Sequence, residues 1–176
     1  MTENKEDKDN RENKDKKGKG DLGKFKKDYE VLRAKYNLPE YSKIVDDFNI
    51  ERASDVETEY LIRELRRFIT DKFFNFHRFV EALLNPNNVP MYVFSIIKTL
   101  GANEKKKLSD IYKEIAKLEV NVMELDMEFS EKKEAEFIKD SFKIWQGIKK
   151  DFSKILDVIK KNWDAKEDEN KREYFG

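Results

Sequence analysis

The chain has 176 residues, 42% of them charged and 38% hydrophobic, with 37 basic residues balanced by 37 acidic ones. That length suggests one domain with a real core, and the balanced charge argues against a dedicated nucleic-acid binder while leaving room for a local basic face. The absence of cysteine excludes disulfides, thiolate catalysis and cysteine-held metals, and the single histidine leaves little for an imidazole metal site, so no cofactor or metal is expected.

Only three prolines and six glycines interrupt a chain rich in Lys, Glu, Leu and Ile, a composition that favours long amphipathic helices. No apolar run follows Met1, and the longest mostly apolar stretch, Val89 to Leu100, falls short of the ~20 residues that span a bilayer. The expectation is a cytoplasmic protein without a signal peptide or transmembrane segment.

Residues 1–21 hold one large apolar residue, Met1, among mixed charges, and are expected to be a disordered charged tail. Phe25, Tyr29, Leu32 and Tyr36 then follow at helical spacing. Asn37 is expected to cap a short second helix opened by Leu38 and Pro39, with Tyr41, Ile44, Val45 and Phe48 facing inward. Ser54 followed by Glu57 forms a capping box, which predicts a long helix over 55–84 stopped by "NPNNVP". "PMYVFSIIKTL" is apolar almost all round, the pattern of a short helix over 90–100 that is buried on most sides or plugs one end of a bundle. Asn103 is the expected cap of a helix over 103–129, and Ser130 that of a last long helix over 131–164. Residues 165–176 read as a charged C-terminal tail.

The stretch "EVNVMELDMEF", residues 119–129, contains a conflict of periods. Leu125, Met127 and Phe129 alternate with Glu124, Asp126 and Glu128 as in a strand, yet both flanks keep a helical period. A lone strand would have no partner. A helix running straight through Ser130 would need its apolar stripe to jump by roughly 150° on a wheel with ~100° steps. The preferred reading ends the helix near 127–129 and turns tightly into the Ser130 cap.

On that wheel Glu119 and Asp126 fall between apolar positions, ~10 Å apart along the axis, too far to share one proton or one small ion. Lys72 stands in the middle of the apolar face of helix 55–84, and this suggests a buried pair with Glu119 or Asp126. The plainer alternative has Lys72 reaching outward and the acids at a rim. A carboxylate metal or enzyme site there would call for a Glu-x-x-His motif, which His77 does not complete because Phe74 stands at that offset.

The last helix carries Lys132, Lys139, Lys143, Lys150, Lys154 and Lys161 within an arc of roughly 60°, a row of ~44 Å that suits phosphates. Glu136 and Asp157 share that arc, and no aromatic is interleaved for base stacking, so a solvated outer face is the simpler reading. Arg63, Arg66 and Arg67 are expected to pair with Glu59 and Glu64 near the surface. His77 falls at the edge of an apolar arc, where a hydrogen-bonded boundary histidine is the expectation. Tyr174 and Phe175 end the charged tail as a candidate docking motif.

The chain therefore reads as all-α: an antiparallel helical bundle of three long helices plus shorter helices, forming a single domain over 22–164. It carries no P-loop, dinucleotide-binding glycine pattern, nucleophile elbow or EF-hand. A non-enzymatic protein-interaction or scaffold module is the leading functional reading, with protein as the partner and self-association as a further option. A nucleic-acid-associated protein using the lysine row is one alternative, and a carboxylate-based metal or enzyme site is the other.

Overall fold

A computed structural model describes residues 22–56, 58–86 and 90–174 of the chain, without side chains at 92, 93 and from 163 onward. The expected N-terminal tail, Glu57 and Phe175 lie outside the described residues, as does the side chain of Tyr174. Every element among the described residues is helical. In chain order they are α1 (22–36), α2 (Tyr41–Phe48), a 3-10 turn (Ile50–Asp55), α3 (Leu61–Leu84), α4 (Met91–Ile97), α5 (Ala102–Met127) and α6 (Glu131–Tyr174). The long helices α3, α5 and α6 pack against each other with consecutive ones antiparallel.

The chain divides into two compact units. One holds the residues up to Ile69 together with Phe129–Lys139, and the other holds Thr70–Glu128 with the residues from Asp140 on. In the first unit, α1 buries Phe25 and Tyr29, α2 buries Ile44 and Phe48, and α3 contributes Ile62, Leu65 and Ile69. The Tyr29 hydroxyl donates to the Pro39 carbonyl at 2.7 Å, so its polar end is satisfied although its ring is buried.

In the second unit, Phe73 of α3 meets Trp145 of α6 edge-on at 5.5 Å, and Phe76 meets Phe152 in the same way at 4.8 Å. These contacts rise together along both helices, so α3 and α6 run parallel there. The core side of α5 supplies Leu108, Ile111, Ile115, Leu118, Val122 and Leu125, an i, i+3, i+7 series. Asn162 of α6 donates through Nδ2 to the Thr99 carbonyl at 2.9 Å, tying the last helix to the segment that follows α4.

Several helix ends differ from expectation. Asn37 does not open α2. It closes α1 in the left-handed region, φ 55°, and the Leu38 amide donates back to the Arg33 carbonyl at 3.3 Å. That is a Schellman ending, which asparagine tolerates better than other non-glycine residues and which buries Leu38 beneath the turn. Ser54 does not cap the long helix either. Asn49 turns left-handed after α2, and the 3-10 turn that follows buries Ile50 and Ala53. Helix α3 therefore starts only after Tyr60, whose carbonyl accepts from the Arg63 and Glu64 amides and whose amide donates to Thr58 Oγ1. Gly101, not Asn103, stands at the start of α5.

Helix α4 buries Ile97, while Met91 and Phe94 stand in solvent, so it is not enclosed on most sides. Helix α6 continues to Tyr174 in place of ending at 164, through a stretch where Lys, Arg and Glu, all good helix formers, make up six of the ten residues. The turn between α5 and α6 agrees with the preferred reading. Glu128 is extended at φ −142° and ψ 116°, and the Lys133 amide donates to Ser130 Oγ at 3.4 Å.

Candidate docking cleft

The first turn of α6 organises one end of the first unit. A helix N-terminus favours negative charge, and Glu131 and Glu134 occupy this one. They face different neighbours. Lys35 Nζ and Tyr36 Oη of α1 both donate to Glu131 Oε2, at 2.8 and 2.7 Å. Those two hydrogen bonds, Lys35 first, hold the Glu131 carboxyl below the ordinary carboxylate value, and the same contact raises Lys35. Glu134 turns inward to α3, where Arg66 Nε donates to its Oε2 at 2.9 Å. This pair is closed to solvent, the side chains of Arg66 and Glu134 being 3% and 0% exposed. One helical turn therefore grips α1 at the surface and α3 in the interior.

Glu131 also lines a cleft of about 520 Å³, together with Asp28, Val31 and Leu32 of α1, residues 58–62 at the start of α3, and Phe129. Tyr60 and Phe129 stack edge-on at 4.8 Å, and the Arg63 guanidinium sits 5.7 Å from the Phe129 ring centre. Val31, Tyr60 and Phe129 are exposed. The acidic members differ in state: Glu131 is engaged by Lys35 and Tyr36, whereas Asp28 and Glu59 are exposed and make no ion pair among the described residues. The cleft thus combines an aromatic and aliphatic wall with two uncommitted carboxylates. A second hollow of about 360 Å³ beside α1 and α2 is lined by charges that already answer one another, with Arg33 on Glu30 at 2.9 Å and Glu40 held by Lys43 at 2.8 Å.

The residues singled out from the sequence fall elsewhere. Lys72 is exposed on α3 and places Nζ 5.5 Å from the Trp145 ring centre, pairing with neither acid. Glu119 meets His77, with Oε1 and Nδ1 2.5 Å apart, and Tyr112 stacks on the imidazole at 4.3 Å. Asp126 is exposed. A His–Glu pair can orient a general base, but the free ring nitrogen here, Nε2, is buried without a hydrogen-bond partner among the described residues and offers a substrate no approach. No group of three or more His, Asp or Glu side chains close enough to hold a metal ion occurs among the described residues.

In the lysine row, Lys132 and Lys139 belong to the first unit and Lys143, Lys150, Lys154 and Lys161 to the second. All are exposed except the half-buried Lys139, and Lys154 pairs with Asp151 at 3.6 Å. Arg67 pairs with Glu64 within its helix at 3.2 Å, as the spacing suggests. Arg66 does not stay at the surface, and its inward pairing corrects the expectation for "RELRRF". A signal for it was present: Arg66 stands four residues after Ile62 and Glu134 four before Ile138, so each lies on an apolar stripe with opposite charge.

Comparison with known proteins finds no matching family model, no matching characterised protein and no matching solved structure. No helix among the described residues is long and apolar enough to cross a membrane.

Proposed function

We propose that this chain is a non-enzymatic protein-interaction module and that the cleft of the first unit is its docking site. The supporting observation is the pairing of exposed Val31, Tyr60 and Phe129 with the uncommitted carboxylates of Asp28 and Glu59 around one hollow. A short segment with an apolar anchor flanked by Lys or Arg fits both features. The anchor covers the aromatic wall, and the flanking cations answer the acids and keep mismatched partners out. The buried Arg66–Glu134 pair holds α6 against α3, the helices that contribute Glu131 and Leu61 and Ile62 to the lining.

Fluorescence anisotropy with a labelled Leu-anchored peptide flanked by lysines, and with its aspartate-flanked counterpart, tests the reading. The lysine peptide is expected to bind and the aspartate peptide to fail. Tyr60→Ala is expected to weaken binding at any salt, and Asp28→Lys with Glu59→Lys to weaken it mainly at low salt. Equal binding of both peptides, or of neither, would discard the cleft. Salt-steep binding of a short RNA that Lys150→Glu with Lys154→Glu abolishes would instead favour the phosphate-binding alternative.

A further inference from the structure

Three uncommitted charges surround the apolar wall of the cleft in the first unit. Asp28 and Glu59 are exposed acids, and the Arg63 guanidinium sits 5.7 Å from the Phe129 ring centre. None of the three makes an ion pair among the described residues. Glu131 does not count with them, because Lys35 and Tyr36 already hold it. Val31, Tyr60 and Phe129 form the exposed wall. An occupant that answers all of these groups combines cations, an acid and an apolar anchor within a short stretch.

The chain itself carries such a stretch. Lys171, Arg172, Glu173, Tyr174 and Phe175 give two cations and an acid followed by two aromatics. Asp164, Glu167, Asp168 and Glu169 come before Asn170 and fall outside it. Residues 1–21 are also rich in lysine but hold no aromatic residue, so they offer no comparable anchor. A chain cannot place residues 171–175 in its own cleft. Glu131 lines the cleft from the first turn of α6, and Tyr174 ends the same 44-residue helix, ~66 Å away along its axis. Phe175 is one residue further, and one residue spans at most ~3.6 Å.

We propose that residues 171–175 of one copy dock in the cleft of a second copy. This inference rests on the cleft being a docking site for an apolar anchor with flanking cations, and it names the segment that docks. Tyr174 and Phe175 cover the wall of Val31, Tyr60 and Phe129. Lys171 and Arg172 answer Asp28 and Glu59, and Glu173 answers Arg63. The contact joins two different surfaces, so it is heterologous: each copy offers one cleft and one segment, and copies add head to tail. Five residues cover far less than the ~800 Å² per partner of a standard interface, so each link is weak. Its ionic part is screened by salt.

Sedimentation velocity of the full chain, from micromolar to millimolar at low and high salt, tests this. Species beyond the dimer are expected to grow with concentration and to recede with salt. Asp28→Lys with Glu59→Lys disables the cleft at exposed positions, and Tyr174→Ser with Phe175→Ser disables the segment. Each variant alone should stay monomeric, with a circular dichroism melt to check its fold. Mixed together, the two should form a dimer and stop there, since one working cleft and one working segment remain. A chain monomeric at millimolar concentration and low salt overturns the proposal, as does a mixture that stays monomeric or an assembly that survives the loss of Tyr174 and Phe175. A labelled peptide of residues 164–176 should bind the full chain and break up its assemblies. If the lysine-flanked leucine peptide binds the cleft and the 164–176 peptide does not, this inference fails and the docking reading stands; if neither binds, both fail.

Discussion

Arg66→Met removes the cation that Glu134 faces in the interior, and the loss of one buried partner is expected to destabilise the fold by ~3–5 kcal/mol. Arg66→Met with Glu134→Leu removes both charges together and should recover most of that loss in urea denaturation; equal destabilisation by the single and double variants would count against the pair as its cause. Glu131 is half-exposed, so its contribution is smaller and follows pH. Its carboxyl is held low in the folded chain by Lys35 and Tyr36. The stability it adds is complete above the ordinary carboxylate value of 4.5 and is lost as pH falls through the lower folded value. Glu131→Gln should therefore lower the denaturation midpoint at neutral pH and leave it unchanged in strong acid. At this scale the sequence was only partly legible. The periodicity marks Lys72, Arg66 and Glu134 alike as charges on apolar stripes. It does not say which will reach solvent along a flexible stem, as Lys72 does over Trp145, and which will meet an opposite charge 68 residues away.

Helix existence was legible and helix ends were not, for a physical reason. The periods of Leu108 to Leu125 and of Ile138 to Ile155 span several turns and fix α5 and α6 against local competition. Ends are decided by one or two residues whose side chains serve several roles. Asparagine caps the start of a helix, but it also accepts the left-handed backbone that closes one, and Asn37 and Asn49 both take the second role. Asn37→Gly is accordingly expected to be neutral or slightly stabilising in a thermal melt, whereas Asn37→Val should destabilise by ~1–2 kcal/mol because a branched side chain opposes positive φ. The turn at 128–130 was only the preferred reading: the apolar stripe changes direction there, but no Gly or Pro forbids a helix that runs straight on to face a second neighbour. The cleft was not legible, since its wall joins α1, residues 58–62 and Phe129, three segments far apart in sequence.

At the scale of the whole chain, two of the three boundaries between the units fall inside helices, between Ile69 and Thr70 in α3 and between Lys139 and Asp140 in α6, and the third, between Glu128 and Phe129, falls in the turn before α6. A helix propagates hydrogen bond by hydrogen bond, so loss of one half of α3 or α6 frays the other. The expectation is one cooperative transition, with far-ultraviolet circular dichroism and tryptophan fluorescence giving the same midpoint; two separated midpoints would mean that the units unfold independently. Net charge is zero at neutral pH and the isoelectric point is about 6.7, so repulsion between copies is weakest near physiological pH.

The described methionines, Met91, Met123 and Met127, all stand in solvent, and the core is built from Ile, Leu, Val, Ala, Phe, Tyr and Trp. Peroxide reaches these three sulfurs without unfolding the chain, and each sulfoxide replaces an apolar thioether by a polar group. Oxidation of these three therefore leaves the described core intact and alters exposed positions. A sample stored in air can keep its melting temperature while the outer face of α5 loses its apolar character, and methionine sulfoxide reductase returns that face to its starting state. Redox history and folded stability are thereby uncoupled in this chain.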